Sequence, residues 1–486
     1  MKQLAKKILV TGATGYVGGR LVPLLLDAGH DVRCFVRNPM RLKHRPWEQH
    51  VTLAKGNVFN EEELDAALQG IDIAYYMIHS LGAGEHEFAQ QDRDAASNFA
   101  RAASKAGVKR IIYLGGLRPK TERISEHLKS RLETGDFLRS GDVPVTEFRA
   151  GVIVGSGSLS FELIRYLTER LPVLVTPKWV NTKTHPIAIR DVLNYLISAI
   201  DTPESEGEII EIGGNDILSY KDMFQIYAKV RGLRRYLLKV PVLTPRLSSH
   251  WISFVTPINA KIAKPLIKGL DNEVTVQDNK AAELFGFQLM GYKDAVEVAL
   301  KRFDKDNVET SWSDALSSGT DVESMIEDVS EKEGLIQERL QIRTTASPES
   351  VFSVIKSLGG KNGWFYANPL WTIRAVFDLV LGGVGLRKGR RSYTEVREGD
   401  TIDFWRVESI EENKSLRLRA EMKVPGKAWL QYTINRLDKK TCIVTQTALF
   451  EPRGLFGFLY WYMFYIPHRF IFPGMFREIR KRAEAQ

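Results

Sequence analysis

The sequence predicts two folded parts. One is an α/β domain built on a doubly wound parallel sheet; the other is a C-terminal α+β domain with an antiparallel sheet against a long helix. Three observations carry this reading. Residues 1–200 alternate short apolar runs with helix-length amphipathic segments. An acidic, Ser-rich stretch at 304–337 separates two regions of different pattern. Beyond it, strand-like runs follow one another across tight turns and end in one long helical segment.

In the first part the apolar runs are Lys7–Val10, Asp31–Val36, Val51–Lys55, Ile71–Ile78 and Arg110–Leu114. Each is followed by a stretch that reads as a helix. This alternation implies βαβ units with helices on both faces of a parallel sheet. Right-handed crossovers make that sheet doubly wound. Val145–Val154 continues the series as a further strand. Residues 201–303 read as mixed extension, with a Pro-interrupted region at Val240–Pro265. The first domain is therefore taken as 1–303 and the linker as 304–337. Ten acids and two lysines fall between Asp304 and Glu333, with few large apolar groups, so ordering this segment would cost more than its burial returns.

The second domain is taken as 338–486. A strand at Glu338–Thr345 precedes Ser347-Pro348-Glu349, an N-cap with Pro in the first helical turn. Helices are expected over Pro348–Leu358 and Trp371–Leu381. Strands are expected at Arg391–Val396, Thr401–Ile410, Ser415–Lys423, Ala428–Leu437 and Thr441–Phe450. Their turns contain Glu398-Gly399-Asp400, Glu412-Asn413-Lys414 and Pro425-Gly426, which favours antiparallel pairing. The last helix is expected from Leu455 to Ala485.

Composition narrows the class. The chain has 486 residues, 44% apolar and 26% charged, which excludes a fibrous or wholly disordered protein. Cys34 and Cys442 are too few for a disulfide scaffold or a Cys-based zinc site. The N-terminus runs straight into a strand, so no secretory signal is read, and a reducing, cytoplasmic compartment is expected. The net charge is +9 overall and +10 within 334–486. A basic third suits an anionic membrane surface, an acidic ligand or a solvated face. No nucleic-acid motif accompanies it, so nucleic-acid binding is not expected.

The chemistry is densest at the N-terminus. Ile8-Leu9-Val10-Thr11-Gly12-Ala13-Thr14-Gly15-Tyr16-Val17-Gly18 is a strand followed by G-x-x-G-x-x-G. Gly12 permits a tight turn, Gly15 lets the backbone approach a pyrophosphate, and Gly18 lets the helix pack on the sheet. Amides from Gly15 to Val17 would face the anion, so Gly12, Thr14, Gly15, Tyr16, Val17 and Gly18 are candidate cofactor contacts. NAD-selective sites usually carry an acid at the end of the second strand. Here Val32–Val36 ends in Arg37-Asn38-Pro39, and the planar fork of Arg37 suits a 2′-phosphate, favouring NADP over NAD. The competing reading is a surface arginine. Asn57 and Val58 follow the third strand, where a short polar side chain reaches an adenine amine or simply forms a turn. His79 and Ser80 follow the fourth strand and are assigned to the nicotinamide side, with a capped helix start as the alternative.

Residues 1–300 resemble the extended or atypical short-chain dehydrogenase/reductases, in particular the NAD(P)-binding group of NmrA-like proteins and the nucleotide-binding accessory subunit of respiratory complex I. Thr11–Gly18, Ala106–Gly116 and Phe148–Gly155 carry the resemblance. It extends to His185–Val192, which the resemblance places at the substrate side. Residues 338–486 resemble the DUF2867 family through Gly382–Gly385, Asp403–Val407 and Tyr460-Trp461-Tyr462. Their element order is similar to START-like helix-grip domains. The first resemblance implies a catalytic Ser and a Tyr-x-x-x-Lys pair. By register the Tyr and Lys positions fall on His127 and Arg131, and the Ser position falls in Leu114-Gly115-Gly116, which has no hydroxyl. A neutral His127 can donate a proton, and a nearby arginine favours that form.

Function follows from these readings. The expectation is an NADP(H)-binding oxidoreductase, with NAD as the lesser option, acting on a small hydrophobic carbonyl or quinone-like molecule. The alternatives are a redox sensor or assembly factor without turnover, and an epimerase of nucleoside-diphosphate sugars, which would want the Tyr and Lys. Residues 454–476 approach the ~20-residue length of a bilayer span but contain Pro467, His468 and Arg469 and are rich in aromatics. They are read as a soluble helix covering the sheet, with peripheral membrane contact and a true span as alternatives.

Overall fold

The computed structural model describes residues 5–42, 45–78, 85–120, 124–176, 178–239, 256, 267–301, 327–332, 334–385, 392, 395–438 and 441–486. The chain divides into two compact units, Met1–Gly319 and Thr320–Gln486.

The first unit is built on strands β1 (Lys7–Thr11), β2 (Asp31–Val36), β3 (Thr52–Lys55), β4 (Ile73–Tyr76), β5 (Arg110–Gly116) and β6 (Val145–Ala150). A seventh strand, Ile209–Ile212, joins them. The order is Ile209–Ile212, β6, β5, β4, β1, β2, β3, and every pairing is parallel. Direction of winding reverses between β1 and β4, which is where such sheets open a ligand crevice. Successive residues of β1 show why the sheet is covered on both sides. Ile8 and Val10 enter the core that holds Leu21, Val22 and Leu25 of helix α1 (Gly18–Asp27). Leu9 enters the opposite core with Leu64 and Leu68 of α2 (Glu61–Leu68) and Phe99 of α3 (Glu85–Ala106). A strand buried on both faces needs an unbroken apolar run, and Ile8-Leu9-Val10 is one. Helix α4 (Glu126–Arg139) follows β5, with Ser125 as its N-cap accepting from the Leu128 amide at 3.3 Å.

The expected strand Val145–Val154 is corrected. It breaks at Gly151, and Ile153–Val154 pairs instead with Ile187–Ala188 outside the main sheet. The chain passes close to another segment there: a Cβ on Gly151 would lie 2.9 Å from the His185 carbonyl oxygen. Most of Val240–Pro265 lies outside the described residues.

The second unit is a seven-stranded sheet in the order 327–332, 335–344, 442–452, 426–436, 415–420, 405–411, 401–402, antiparallel throughout. Helices Pro348–Lys356, Asn368–Val380 and Gly454–Glu484 accompany it. The long helix buries Phe458, Trp461, Phe472, Met475 and Ile479 against the inward faces of Leu340, Leu430, Tyr432 and Val444. It continues through Pro467 and Pro473. The expected linker is shortened by this sheet. Glu327–Lys332 forms its edge strand, so polar residues read as a tether are held by backbone pairing with Leu335–Leu340. In the expected strand Arg391–Val396, residues 391, 393 and 394 lie outside the described residues, and 395–396 form no strand.

Candidate functional site

The glycine turn at the end of β1 divides its labour. Gly12 has φ +65°, and a Cβ there would lie 2.4 Å from the Met77 carbonyl oxygen. A Cβ on Gly18 would lie 2.4 Å from the Gly12 carbonyl oxygen. Neither site accepts a side chain unless backbone moves. Gly15 is different. Its amide donates to the Gly12 carbonyl at 2.8 Å, and a Cβ would meet only that oxygen, at 3.2 Å. Thr11 fixes the turn from below: its hydroxyl donates to the Tyr75 carbonyl (3.0 Å) and accepts from the Met77 amide (2.9 Å). Helix α1 starts with no side-chain cap; its Gly19 and Arg20 amides donate to the Gly15 and Val17 carbonyls at 3.0 and 3.1 Å, which leaves the Gly18 amide and the positive dipole end for an anion.

A cavity of about 740 Å³ opens beside this turn, within the ~300–1,000 Å³ usual for ligand sites. Gly12, Thr14, Gly15, Tyr16, Val17 and Gly18 line it from the turn, Arg37 from the end of β2, and Asn57 and Val58 from the end of β3. Parallel strands bring these three loops to one edge although they are spread over 47 positions of sequence. Arg37 is exposed, and no acidic residue occurs between it and Glu48. Among the described residues no carboxylate pairs with its guanidinium. Asn57 accepts from the Phe59 amide through Oδ1 at 3.3 Å, which makes it a turn-former and fixes its orientation at the cavity. His79 and Ser80 lie outside the described residues.

The region where the sequence places the candidate proton donor is built from β5 and α4. His127 and Arg131 stand one turn apart on α4, hence on one face. The side chain of His127 lies outside the described residues. Arg131 lines the cavity, and its Nη2 donates to the Leu114 carbonyl at 2.6 Å. Tyr113 donates its hydroxyl to the Arg131 carbonyl at 2.9 Å, and burial pushes its phenol up. That proton serves the packing of α4 on β5. Gly115 and Gly116 stand where the resemblance implies a catalytic Ser. A Cβ on Gly115 would lie 2.9 Å from Oε1 of Glu147, a buried carboxylate paired with Arg139 and Arg149. A Cβ on Gly116 would meet Arg131 at 3.6 Å, an ordinary contact.

The cavity continues between apolar walls that sequence reading did not single out: Leu163, Ile164, Trp179, Tyr220, Phe224 and Leu270. Trp179 packs edge-on to Tyr220. One local signal was available, because Ser219 and Asp222 form a capping box that starts the helix carrying Tyr220 and Phe224. The segment His185–Val192, expected at the substrate side, does not line the cavity. His185 is held by the Gly214 carbonyl at Nε2 (2.8 Å) and accepts from the Val276 amide at Nδ1 (3.4 Å). Burial lowers its pKa, and its role is to join two loops.

No group of His, Cys, Asp and Glu able to hold a metal occurs among the described residues. Both cysteines are buried and free, and burial pushes the Cys34 thiol up to about 12.

Strand order and glycine turn together define the class, a Rossmann-type NAD(P)-binding protein related to the short-chain dehydrogenases/reductases. The chain belongs to the NmrA-like family, whose pattern matches residues 4–259. Residues 334–475 match the family described as protein of unknown function (DUF2867). The photosystem II assembly factor Ycf39 of Trieres chinensis is 25% identical over 253 residues, which is 51% of this chain and 76% of that protein. The ceramide reductase of Caulobacter vibrioides is 25% identical over 239 residues, 48% of this chain and 73% of that protein. Among solved structures, the triphenylmethane reductase of Citrobacter sp. has the same fold, with a TM-score of 0.50 and 21% identity over 61% of this chain and 99% of its own.

Proposed function

We propose that the first unit is an NADP(H)-dependent oxidoreductase acting on a hydrophobic carbonyl or quinone-like molecule. One observation carries this reading: the glycine turn, Arg37 and the apolar walls at Trp179, Tyr220, Phe224 and Leu270 line a single cavity. A dinucleotide and an apolar molecule can therefore meet in it. When bound, the nicotinamide supplies a hydride. The protein's own groups do the rest. The amides of Tyr16, Val17 and Gly18 hold the pyrophosphate, since that of Gly15 is already given to the Gly12 carbonyl. Arg37 holds the 2′-phosphate. Arg131, fixed by the Leu114 carbonyl, faces the ribose side. His127 donates the proton to the substrate oxygen as that oxygen gains charge. The apolar walls hold the substrate and exclude water. A relative named for ceramide reduction agrees with an apolar substrate. The test is NADPH oxidation by a panel of quinones and aldehydes, followed by absorbance. No turnover with any acceptor, alongside tight NADPH binding, overturns it.

A second reading, binding without turnover, is favoured by the missing hydroxyl at Leu114–Gly116 and by likeness to an assembly factor. It expects NADPH and NADP to bind with no acceptor consumed. Epimerisation is disfavoured, because the Tyr and Lys positions it would want hold His127 and Arg131.

A further inference from the structure

We propose that the second unit docks on an anionic lipid surface through two neighbouring helices whose outward faces are apolar. This extends the membrane contact expected of 454–476 to a second helix and is independent of the dinucleotide site. Helix Asn368–Val380 buries Trp371, Ala375 and Asp378 on one side. Its other side presents Ile373, Val376, Phe377 and Val380, exposed by 52, 54, 62 and 78%. An ordinary surface helix is polar there. The long helix repeats the anomaly. Phe456, Leu459, Met463, Ile466 and Phe470 are 79, 56, 65, 71 and 71% exposed, and their spacing of three and four residues makes one stripe opposite the buried Trp461 and Met475.

The two apolar faces adjoin. Arg374 donates to the Tyr460 hydroxyl at 3.0 Å and stands over the Tyr460 and Phe464 rings. At ~100° per residue, Phe377 and Leu381 lie within about 60° of Arg374, and Phe456 and Met463 within about 60° of Tyr460. Both faces therefore begin at the contact and run outward from it. A contiguous apolar surface of this kind on a folded unit marks an interaction site.

Charge selects the occupant. From Pro452 to Arg477 the sequence has no acid, and the sole acid of Asn368–Gly385, Asp378, is buried. Among the described residues of 452–477 the exposed charges are Arg453, Arg469 and Arg477, and the exposed Lys423 joins them from another strand end. Lys423 sits at the end of the first helix, with Nζ 3.5 Å from where a Gly382 Cβ would be. Bulky apolar and aromatic side chains rimmed by cations are the pattern of an interfacial helix on an anionic leaflet. Tyr462 offers a ring to the acyl boundary and a hydroxyl to the headgroups. A second copy packed by two-fold symmetry would bring the same cations together. No helix among the described residues is long and apolar enough to cross a membrane, so the contact is interfacial.

The experiment floats the full chain on density gradients with vesicles of phosphatidylcholine alone or mixed with phosphatidylglycerol. Wild type is expected to float with the anionic vesicles about tenfold or more over the neutral ones, and less in high salt. The double variant Phe377→Glu, Ile466→Glu alters only exposed positions. It should lose flotation with unchanged melting and unchanged elution volume. Wild type that floats with neither vesicle overturns the proposal, as does equal flotation with both. A wild-type dimer that the double variant converts to monomer, without flotation, assigns the patch to a second copy and likewise overturns it.

Discussion

Replacing Arg37 by Glu reverses the charge at the end of β2, where an acid would favour NAD. One charge-assisted hydrogen bond to a phosphate is worth about 1.5–3 kcal/mol, which is roughly 10–150-fold in Kd. Arg37 is exposed, so solvent and salt screen it, and the lower end applies. NADPH should therefore bind about tenfold more weakly to Arg37→Glu, with the new carboxylate adding repulsion. NADH lacks the 2′-phosphate, and its affinity should hold or improve as the introduced carboxylate accepts from the ribose hydroxyls. Titrating both cofactors by fluorescence, at low and high salt, separates the terms. The NADPH loss should shrink as salt rises, because the phosphate contact is the screened one. The fold is not at stake, since among the described residues no carboxylate pairs with the guanidinium. Equal NADPH affinity in the two proteins would refute the argument and return Arg37 to the status of a surface arginine.

Other expectations are direct. Gly15→Val should abolish NADPH binding with little change in melting, whereas Gly18→Ala, whose Cβ would sit 2.4 Å from a backbone oxygen, should lower the melting temperature itself; calorimetry beside titration distinguishes them. His127→Phe should cut kcat by about 10²–10⁴-fold with NADPH affinity nearly unchanged, and Arg131→Met should weaken cofactor binding as well; wild-type turnover in His127→Phe removes the catalytic assignment. Gly116→Ser should be tolerated and Gly115→Ser should destabilise, because only the second meets the Glu147 carboxylate at 2.9 Å; comparing their melting curves checks this. Burial holds the pKa of His185 below its ordinary 6.5. The unfolded chain therefore binds the proton more readily, and this contribution to stability is present above pH 6.5 and declines as pH falls below it. His185→Asn should flatten that part of the melting-temperature profile.

How far the sequence speaks for the structure depends on whether a feature is local. Strand β1 and the glycine turn are contiguous, so spacing exposes the motif; the demand at Gly18 arises within the turn, from the Gly12 carbonyl, whereas that at Gly12 comes from the Met77 carbonyl beyond β4 and is not visible in the spacing. The break at Gly151 is not visible in this way. Val152-Ile153-Val154 continues the apolar run, and the reason for the break is the His185 carbonyl supplied from another segment. Glu327–Lys332 fails as a sequence-read strand for the opposite reason. It is polar, and an edge strand needs only one neighbour's backbone groups to be held. The apolar walls of the cavity are the extreme case. Trp179, Tyr220 and Leu270 come from three separate segments, and each reads alone as an ordinary core residue. Only the winding of the sheet makes them one surface. The cofactor end of this site thus rests on local backbone chemistry that tolerates few substitutions. The apolar end of the cavity rests on side chains from distant segments that can change size and polarity while the turn stays intact. On the proposed function, that asymmetry lets one dinucleotide cradle serve different substrates, and substrate selection by this chain would rest with Trp179, Tyr220, Phe224 and Leu270 rather than with any motif.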